Sequence, residues 1–486
     1  MEALVRSYEK KNVFFIHTLG GDEELPVLHF KKHYRLNYPV IPDNLDRYRH
    51  LIRVTGITNV AVFGGDGVCV LNESFMEGGS GSDFEKAIDT ALAKLDGPNR
   101  RGAAFIDAGT VYAPPVKDEG AIVRQRTPSL AAGPAGELHL AYSSDENGTG
   151  DVLLRSFEGG KWSKDVPVAS TKADEYAPTT VSVGKGQALV AFVSNEKGLY
   201  DIHTAVVKDG KVQKRQQITK SRNDAMAPAL GGGGKVEPWL AWYEWSRMGD
   251  LSRDREVFAA AFKRGGWSRP IQVSPREVPA YEDHADPSIA PDGKGGAWVA
   301  WAWDYHGTLP QKPPVDENSI FMRRVDGSMK LGEILAAGFR GSGRARDYTP
   351  SVAIASDGIP WVAWDNSHKS SLGYNAKALF VNRLTGKDFE DQVEGAASRG
   401  AIDSPRLLAD PKGGLHLLWN QDGGGTWEVW VRPIGTKSMG EPRRLELKAK
   451  NPRYPAACFD SSGRLWVAYS DAVRPRWEVR VEGVEG

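Results

Sequence analysis

Seven times in this chain a proline follows, within four residues, a group that can ionise or bind. Arg124 and Arg126 precede Pro128, Asp174 precedes Pro178, Asp224 precedes Pro228, and Asp283 and His284 precede Pro287. Asp347, Asp403 and Arg453 stand before Pro350, Pro405 and Pro455. A second set falls further along each period: Trp245, Arg247, Asp304, Tyr305, His306, Asp365, His368, Gln421, Asp422 and Asp471. Carboxylates and aromatic rings gathered at one mouth suit a polar ligand such as a sugar or a peptide, or a cation. The competing reading is that Asp and Arg at strand starts cap turns and satisfy backbone donors. Asp283 with His284, Asp304 with His306 and Asp365 with His368 offer oxygen and imidazole ligands. No fixed ligand spacing links them, so neither a metal nor another cofactor is expected. Nothing reads as a phosphate-binding loop or a nucleophile elbow, because the glycine runs fall in hairpin turns and not ahead of helices.

These residues need a scaffold that repeats with them. Seven tetrads of large, small and β-branched residues recur: His139 to Tyr142, Leu189 to Phe192, Trp239 to Trp242, Trp298 to Trp301, Trp361 to Trp364, His416 to Trp419 and Trp466 to Tyr469. Each follows its proline at a near-constant offset, and the prolines lie 50 to 63 residues apart. Such a period marks a repeat architecture. Each unit reads as a short strand after the proline, a glycine turn, the tetrad strand, an alternating strand such as Asp151 to Arg155, and a fourth strand after a further glycine turn, as at Gly160 to Ser163. Four antiparallel strands per period make a propeller blade. The expected fold is mainly β, a seven-bladed propeller over 127–486, with the tetrad aromatics as core.

In such a ring the turns between first and second strands emerge at one end and are short and glycine-rich here. The other end collects the residues before each proline and the connections from second to third strand. Those lengthen at 243–254, 303–317 and 365–376, so function is expected there. The seventh repeat ends after its third strand. The apolar segment Ala103 to Ala108, within a linker and ring-closing region at 98–126, is expected to supply the missing strand.

Residues 1–97 have a different pattern. Asn37-Tyr38-Pro39-Val40, Val54 to Val60 and the turn Asp66-Gly67 resemble the later part of a thioredoxin-like domain of the TlpA/ResA type. The residues read as helices over 23–34, 45–54 and 82–95 and a hairpin formed by 59–63 and 68–75, and the resemblance implies that they make a small α/β domain. The family's C-x-x-C pair and first strands are lacking, and Thr58 stands where it has a cis-proline. Thiol–disulfide exchange needs an attacking thiolate and a resolving partner, so this incomplete domain should be redox-inactive. Cys69 reads as a small core residue. It and Cys458 are the only cysteines, which leaves no disulfide framework.

Arg126-Thr127-Pro128 resembles the Arg-Ile-Pro segment of sialidase-like (BNR-like) propellers, and Ser156 to Trp162 loosely resembles their Asp-box turn. That resemblance implies glycoside hydrolysis with an arginine cluster for the substrate carboxylate, and it carries over Arg126 alone as a catalytic-site residue. Thr127 in place of the isoleucine and seven repeats in place of six depart from that family.

Lys plus Arg and Asp plus Glu balance at 62 each, so no field favours nucleic acid or an anionic surface. No apolar run reaches the roughly 18 residues that span a bilayer. The expectation is a monomeric, non-catalytic propeller that binds a polar small molecule, glycan, peptide or protein through Asp174, Asp224, Trp245, Arg247, Asp283, His284, Asp304, Tyr305, His306, Asp347, Asp365, His368 and Asp422. The alternative is a sialidase-like glycoside hydrolase acting at the same face. An upstream signal would place the protein outside the cytoplasm, whereas the sequence as it stands reads as cytoplasmic.

Overall fold

The computed structural model describes residues 123–486 except 148, 246–254, 276–282, 306–316, 339–346, 367–368, 375–376, 425, 436–437, 474–475 and 485–486, together with four strands nearer the N-terminus. The chain divides into two compact units, Met1–Ala121 and Ile122–Gly486. In the first, His17–Leu19 pairs in parallel with Val40–Pro42, and Thr58–Phe63 forms an antiparallel hairpin with Cys69–Phe75. The hairpin agrees with the expected one. The three expected helices and Ala103 to Ala108 lie outside the described residues. Among the described residues no helix is long and apolar enough to cross a membrane.

The second unit is a seven-bladed β-propeller. Its first strands are Val123–Ala132, Glu175–Gly184, Asp224–Gly233, Asp283–Pro291, Asp347–Ile354, Ile402–Ala409 and Pro452–Phe459. Each pairs antiparallel with its tetrad strand, and the tetrad strand pairs with a third. Each first strand also packs on the first strand of the next blade, and the seventh packs on the first, which closes the ring. The fourth strands vary. Blade 2 has one of seven residues, Lys211–Gln217, whereas blade 1 splits its fourth into Lys161–Trp162 and Val166–Ala169. The split has a local cause. Ser163 Oγ accepts the Ser156 N–H at 3.0 Å and donates to the Lys164 carbonyl, so a hydroxyl stands in for the ladder. Ser268 repeats this with Ala261 and Arg269 in blade 3.

The tetrads form the core, as their pattern requires. Their last residues, Tyr142, Phe192, Trp242, Trp301, Trp364, Trp419 and Tyr469, are all at most 1% exposed. In five blades this residue faces another ring directly across the ladder. Trp242 lies 6.0 Å from Phe258, Trp364 6.0 Å from Phe380, Trp419 6.2 Å from Trp430, Trp301 6.4 Å from Phe321 and Phe192 5.7 Å from His203. Direct cross-strand aromatic pairs are the strongest side-chain unit of a sheet.

One backbone feature recurs in every blade. The residue before the proline is left-handed: Thr127, Ala177, Ala227, Asp286, Thr349, Ser404 and Tyr454 have φ between 45° and 54°. Each sits where the first strand slips register by one residue against the tetrad strand, a β-bulge. Proline suits the next position because it has no N–H to leave unpaired. After the proline, a hydroxyl reaches the neighbouring blade at four junctions. Ser129 accepts the Thr180 N–H at 3.0 Å, Thr179 that of Leu230 at 3.3 Å, Ser288 that of Val352 at 3.1 Å and Ser351 that of Leu407 at 2.9 Å. The same position holds Ala229, Arg406 and Ala456 in blades 3, 6 and 7. At the junction of blades 3 and 4 the backbones approach instead, since a Cβ on Gly231 would lie 2.4 Å from the Ile289 carbonyl.

Blade 7 ends with its third strand, Arg476–Val484. The described chain that meets its outer edge is the start of the first strand of blade 1, with Arg476 opposite Val123 and Trp477 opposite Arg124 in a parallel pairing. Gln125 Oε1 adds a bond from the Val479 N–H at 3.1 Å.

The left-handed bulge and the hydroxyl girdle make separate predictions. Ala177→Gly should hold stability within about 0.5 kcal/mol, whereas Ala177→Val should cost about 2 kcal/mol, because a β-branched side chain is strained there. Ser351→Ala should cost about 1–3 kcal/mol by stranding the buried Leu407 N–H. Urea unfolding measures all three.

Candidate functional site

The two ends of the ring differ in how their polar groups are used. At the turns between first and second strands of blades 4, 6 and 7, one carboxylate closes the loop on itself. Asp292 Oδ1 accepts the N–H groups of Lys294 and Gly296 at 2.7 and 3.0 Å. Asp410 does the same for Lys412 and Gly414, and Asp460 for Ser462 and Arg464. The second oxygen of Asp460 takes the Trp466 indole N–H at 2.8 Å, and that of Asp410 lies 3.0 Å from His416 Nε2. These turns are structural.

The opposite end, where the first strands start, carries most of the residues expected to bind. Several prove to be spent on structural bonds, within a blade or to the one before. Asp224 is fully buried and accepts the Tyr200 N–H at 2.9 Å from the preceding blade. Asp347, also fully buried, accepts from Asn366 Nδ2 at 2.6 Å, and Asp365 accepts the Thr349 hydroxyl. Asp174 receives a 3.4 Å bond from Asn195, and the half-buried Asp422 accepts the Gly424 N–H at 3.1 Å. Sequence reasoning passed over two carboxylates in the same service: Glu175 binds Thr171, and Asp201 binds Thr219 and Gln217. Asp471, which the sequence did mark at this end, accepts the N–H groups of Lys450 and Asn451 at 3.0 Å.

Blade 4 gathers the tightest group of expected residues. The ladder sets Asp283 opposite Asp304, His284 opposite Trp303 and Tyr305 opposite Glu317. The side chains of Asp283, Asp304 and Tyr305 lie outside the described ones, as does that of Arg126, whose backbone pairs with Ser143. Arg247, His306 and His368 lie outside the described residues altogether. Trp245 ends the tetrad strand of blade 3 and is half-buried. The expected residues are therefore spread round the ring, with blades 4 and 5 holding the largest share. Among the described residues no three His, Cys, Asp or Glu side chains stand close enough to hold a metal ion.

His284 is wholly buried. The Trp301 indole donates to its Nδ1 at 3.0 Å, which places the ring hydrogen on Nε2, and Trp303 packs on the ring at 4.8 Å. Among the described residues Nε2 has no hydrogen-bond partner. Burial, helped by Arg255, pushes the pKa down to about 3. His203, stacked on Phe192, is pushed down to about 4 by burial, then by Arg215 and Lys197.

A feature that sequence reasoning did not assemble lies across blades 6 and 7. Arg453, second in its strand, is surrounded by the rings of Trp427, Tyr454 and Trp477. The visible signal was the tripeptide Trp-Glu-Val, which opens the third strand at Trp427 and nearly so at Trp477.

Both histidines are neutral when folded, whereas the unfolded rings take a proton below about pH 6.5. Their stabilisation is thus complete above pH 6.5 and is lost as pH falls toward 4 and then 3. Each should contribute a slope of about 1.4 kcal/mol per pH unit to the acid limb. In urea unfolding between pH 6.5 and 4.5, His203→Phe should flatten that slope by about one proton.

No family profile matches the chain, and no curated protein matches it. Solved structures do. An ulvan lyase of polysaccharide lyase family PL25 superposes with a TM-score of 0.51 at 11% identity, over 75% of this chain and 94% of that one. The same enzyme has been solved bound to -[GlcA(1-4)Rha3S]-. The leech intramolecular trans-sialidase gives 0.41 at 11% identity, covering 82% of this chain and 71% of its own. The Penicillium chrysogenum α-L-arabinanase in complex with arabinobiose gives 0.42 at 13%, covering 75% and 92%. At these identities the likeness is one of fold, and the ulvan lyase carries it.

Proposed function

We propose that the propeller is a carbohydrate-active enzyme that cleaves a polysaccharide or glycan at the end where its first strands start. This broadens the alternative that the sequence left open, a sialidase-like glycoside hydrolase, and is favoured over the purely binding reading. The observation that carries it is in blade 4. Asp283 and Asp304 are directly opposed on adjacent antiparallel strands, which sets their Cα atoms about 4.5–5.5 Å apart. Cleavage of a glycosidic bond by two carboxylates needs the carboxyl groups about 5–10 Å apart, a span that two short side chains from so close a backbone pair can supply. The connection at 306–316 follows at once, and variable connections on a fixed scaffold are where such sites develop. The ulvan lyase, whose fold this ring resembles, has been solved with a saccharide bound, which supports the reading. We place the N-terminal unit as an incomplete, redox-inactive thioredoxin-like domain, and an insulin-reduction assay should be blank.

The test is a panel of aryl glycosides, a sialoside and neutral and uronate-containing polysaccharides. Reducing ends report hydrolysis, and ultraviolet absorbance of an unsaturated uronate reports elimination. Turnover that falls at least 100-fold in both Asp283→Asn and Asp304→Asn, with melting unchanged, is expected. Saturable saccharide binding with no turnover on any substrate would return the protein to the binding class. Sialoside turnover lost in Arg126→Ala would move the site to blade 1.

A further inference from the structure

We infer that Arg453, Trp427, Tyr454 and Trp477 form a subsite for an acidic sugar, with the guanidinium receiving the carboxylate or sulfate group of the sugar, the half-buried Tyr454 and Trp477 rings flanking the sugar, and buried Trp427 backing the cation. The Arg453 guanidinium carbon lies 5.3 Å from the Trp427 ring centre, 5.1 Å from that of Tyr454 and 5.9 Å from that of Trp477. Tyr454 and Trp477 are 6.5 Å apart at 38°. Three rings steady the cation from different sides.

What they do not supply is an acceptor. A guanidinium carries five N–H donors in a fixed fork, and half-buried Arg453 has no hydrogen-bond or ion-pair partner among the described residues. The other half-buried arginines among the described residues are matched. Arg155 holds Asp165 at 2.5 and 2.7 Å, Arg324 holds Asp292 at 2.6 and 2.9 Å, and Arg383 holds Glu390 at 2.6 Å. A positioned but unmatched guanidinium suits a planar or tetrahedral oxyanion, which it binds through two parallel hydrogen bonds.

The backbone adds a second, independent observation. Seven residues occupy the left-handed position before the proline, and six of them are Thr, Ala, Asp or Ser. In blade 7 the residue is Tyr454, with φ 53°. A bulky side chain kept in that conformation is an outlier of the kind that gathers at binding sites. Three rings around one cation favour a saccharide over a peptide, because a sugar offers flat apolar faces beside its acidic group.

This deepens the carbohydrate reading and rests on it for the carrier of the anion. The site is in blades 6 and 7, away from Asp283 and Asp304, so the two can fail separately. The full chain is titrated by calorimetry with a uronate oligosaccharide, a sulfated one, a neutral one of equal length, sodium sulfate and an acidic peptide. We expect the uronate or the sulfated oligosaccharide to bind and to weaken at least 10-fold in Arg453→Gln. Arg453→Lys should fall between, having the charge without the fork, and Trp477→Ala should also weaken binding. The neutral oligosaccharide should be indifferent to Arg453→Gln. Equal affinity for acidic and neutral sugars, an unaffected Arg453→Gln, binding of sulfate alone, or capture of the acidic peptide in place of any sugar would each overturn the inference. Loss of turnover in Asp283→Asn with intact uronate binding separates it from the cleavage reading. Melting temperatures of all variants confirm folding.

Discussion

The whole ring depends on a bend that the backbone makes seven times. Each first strand has to stay laddered to its own blade and also lie beside its neighbour across an inner ring. A left-handed residue followed by proline inserts one extra residue and turns the strand at that point. An L-residue there costs about 1–2 kcal/mol, and what offsets it lies on either side: the buried aromatic of the tetrad strand and the hydroxyl that reaches into the next blade. Both are positioned by the same bulge, so bend and core are one device.

That device divides the labour between the ends. At the closed turns, Asp292, Asp410 and Asp460 satisfy their own backbone N–H groups and are left with little to offer a ligand. At the other end, Asp224 ties its blade to the preceding one, Asp347 and Asp365 fix the first two strands of blade 5 to each other, and Asp471 holds the segment that enters blade 7. Their bonds explain how a chain with so many buried carboxylates remains folded, since a buried carboxylate is tolerable only when it is hydrogen-bonded.

Much of the architecture was legible because it repeats. Prolines and tetrads at a steady period dictate blades and their number. The left-handed residue was not legible, because Thr127, Ala177 and Tyr454 share no side-chain property; the constraint acts on φ. The hydroxyl girdle was hidden for a related reason, since it links residues about fifty positions apart through side chain to backbone. The site was half legible. Types and positions identified the correct end, but the sequence does not tell Asp347, spent on Asn366, from Asp283. Arg453 was visible beside its proline. Its aromatic surround was not, because the rings come from two blades.

The girdle is also uneven, and the unevenness has a mechanical meaning. Blades 1 to 3 and 4 to 6 are stitched by hydroxyls, and the gap between 3 and 4 is bridged by the close glycine backbone. Arg406 and Ala456 leave blade 7 without a hydroxyl stitch on either flank, and side-chain amides take over there: Asn420 Nδ2 donates to the Pro452 carbonyl at 3.2 Å, Asn451 Oδ1 accepts the Trp427 N–H at 2.9 Å and Gln125 Oε1 the Val479 N–H at 3.1 Å. The circle is thus fastened at its seam by a different functional group from the one that fastens it elsewhere, so a change that removes hydroxyls would loosen the other blades and spare this one.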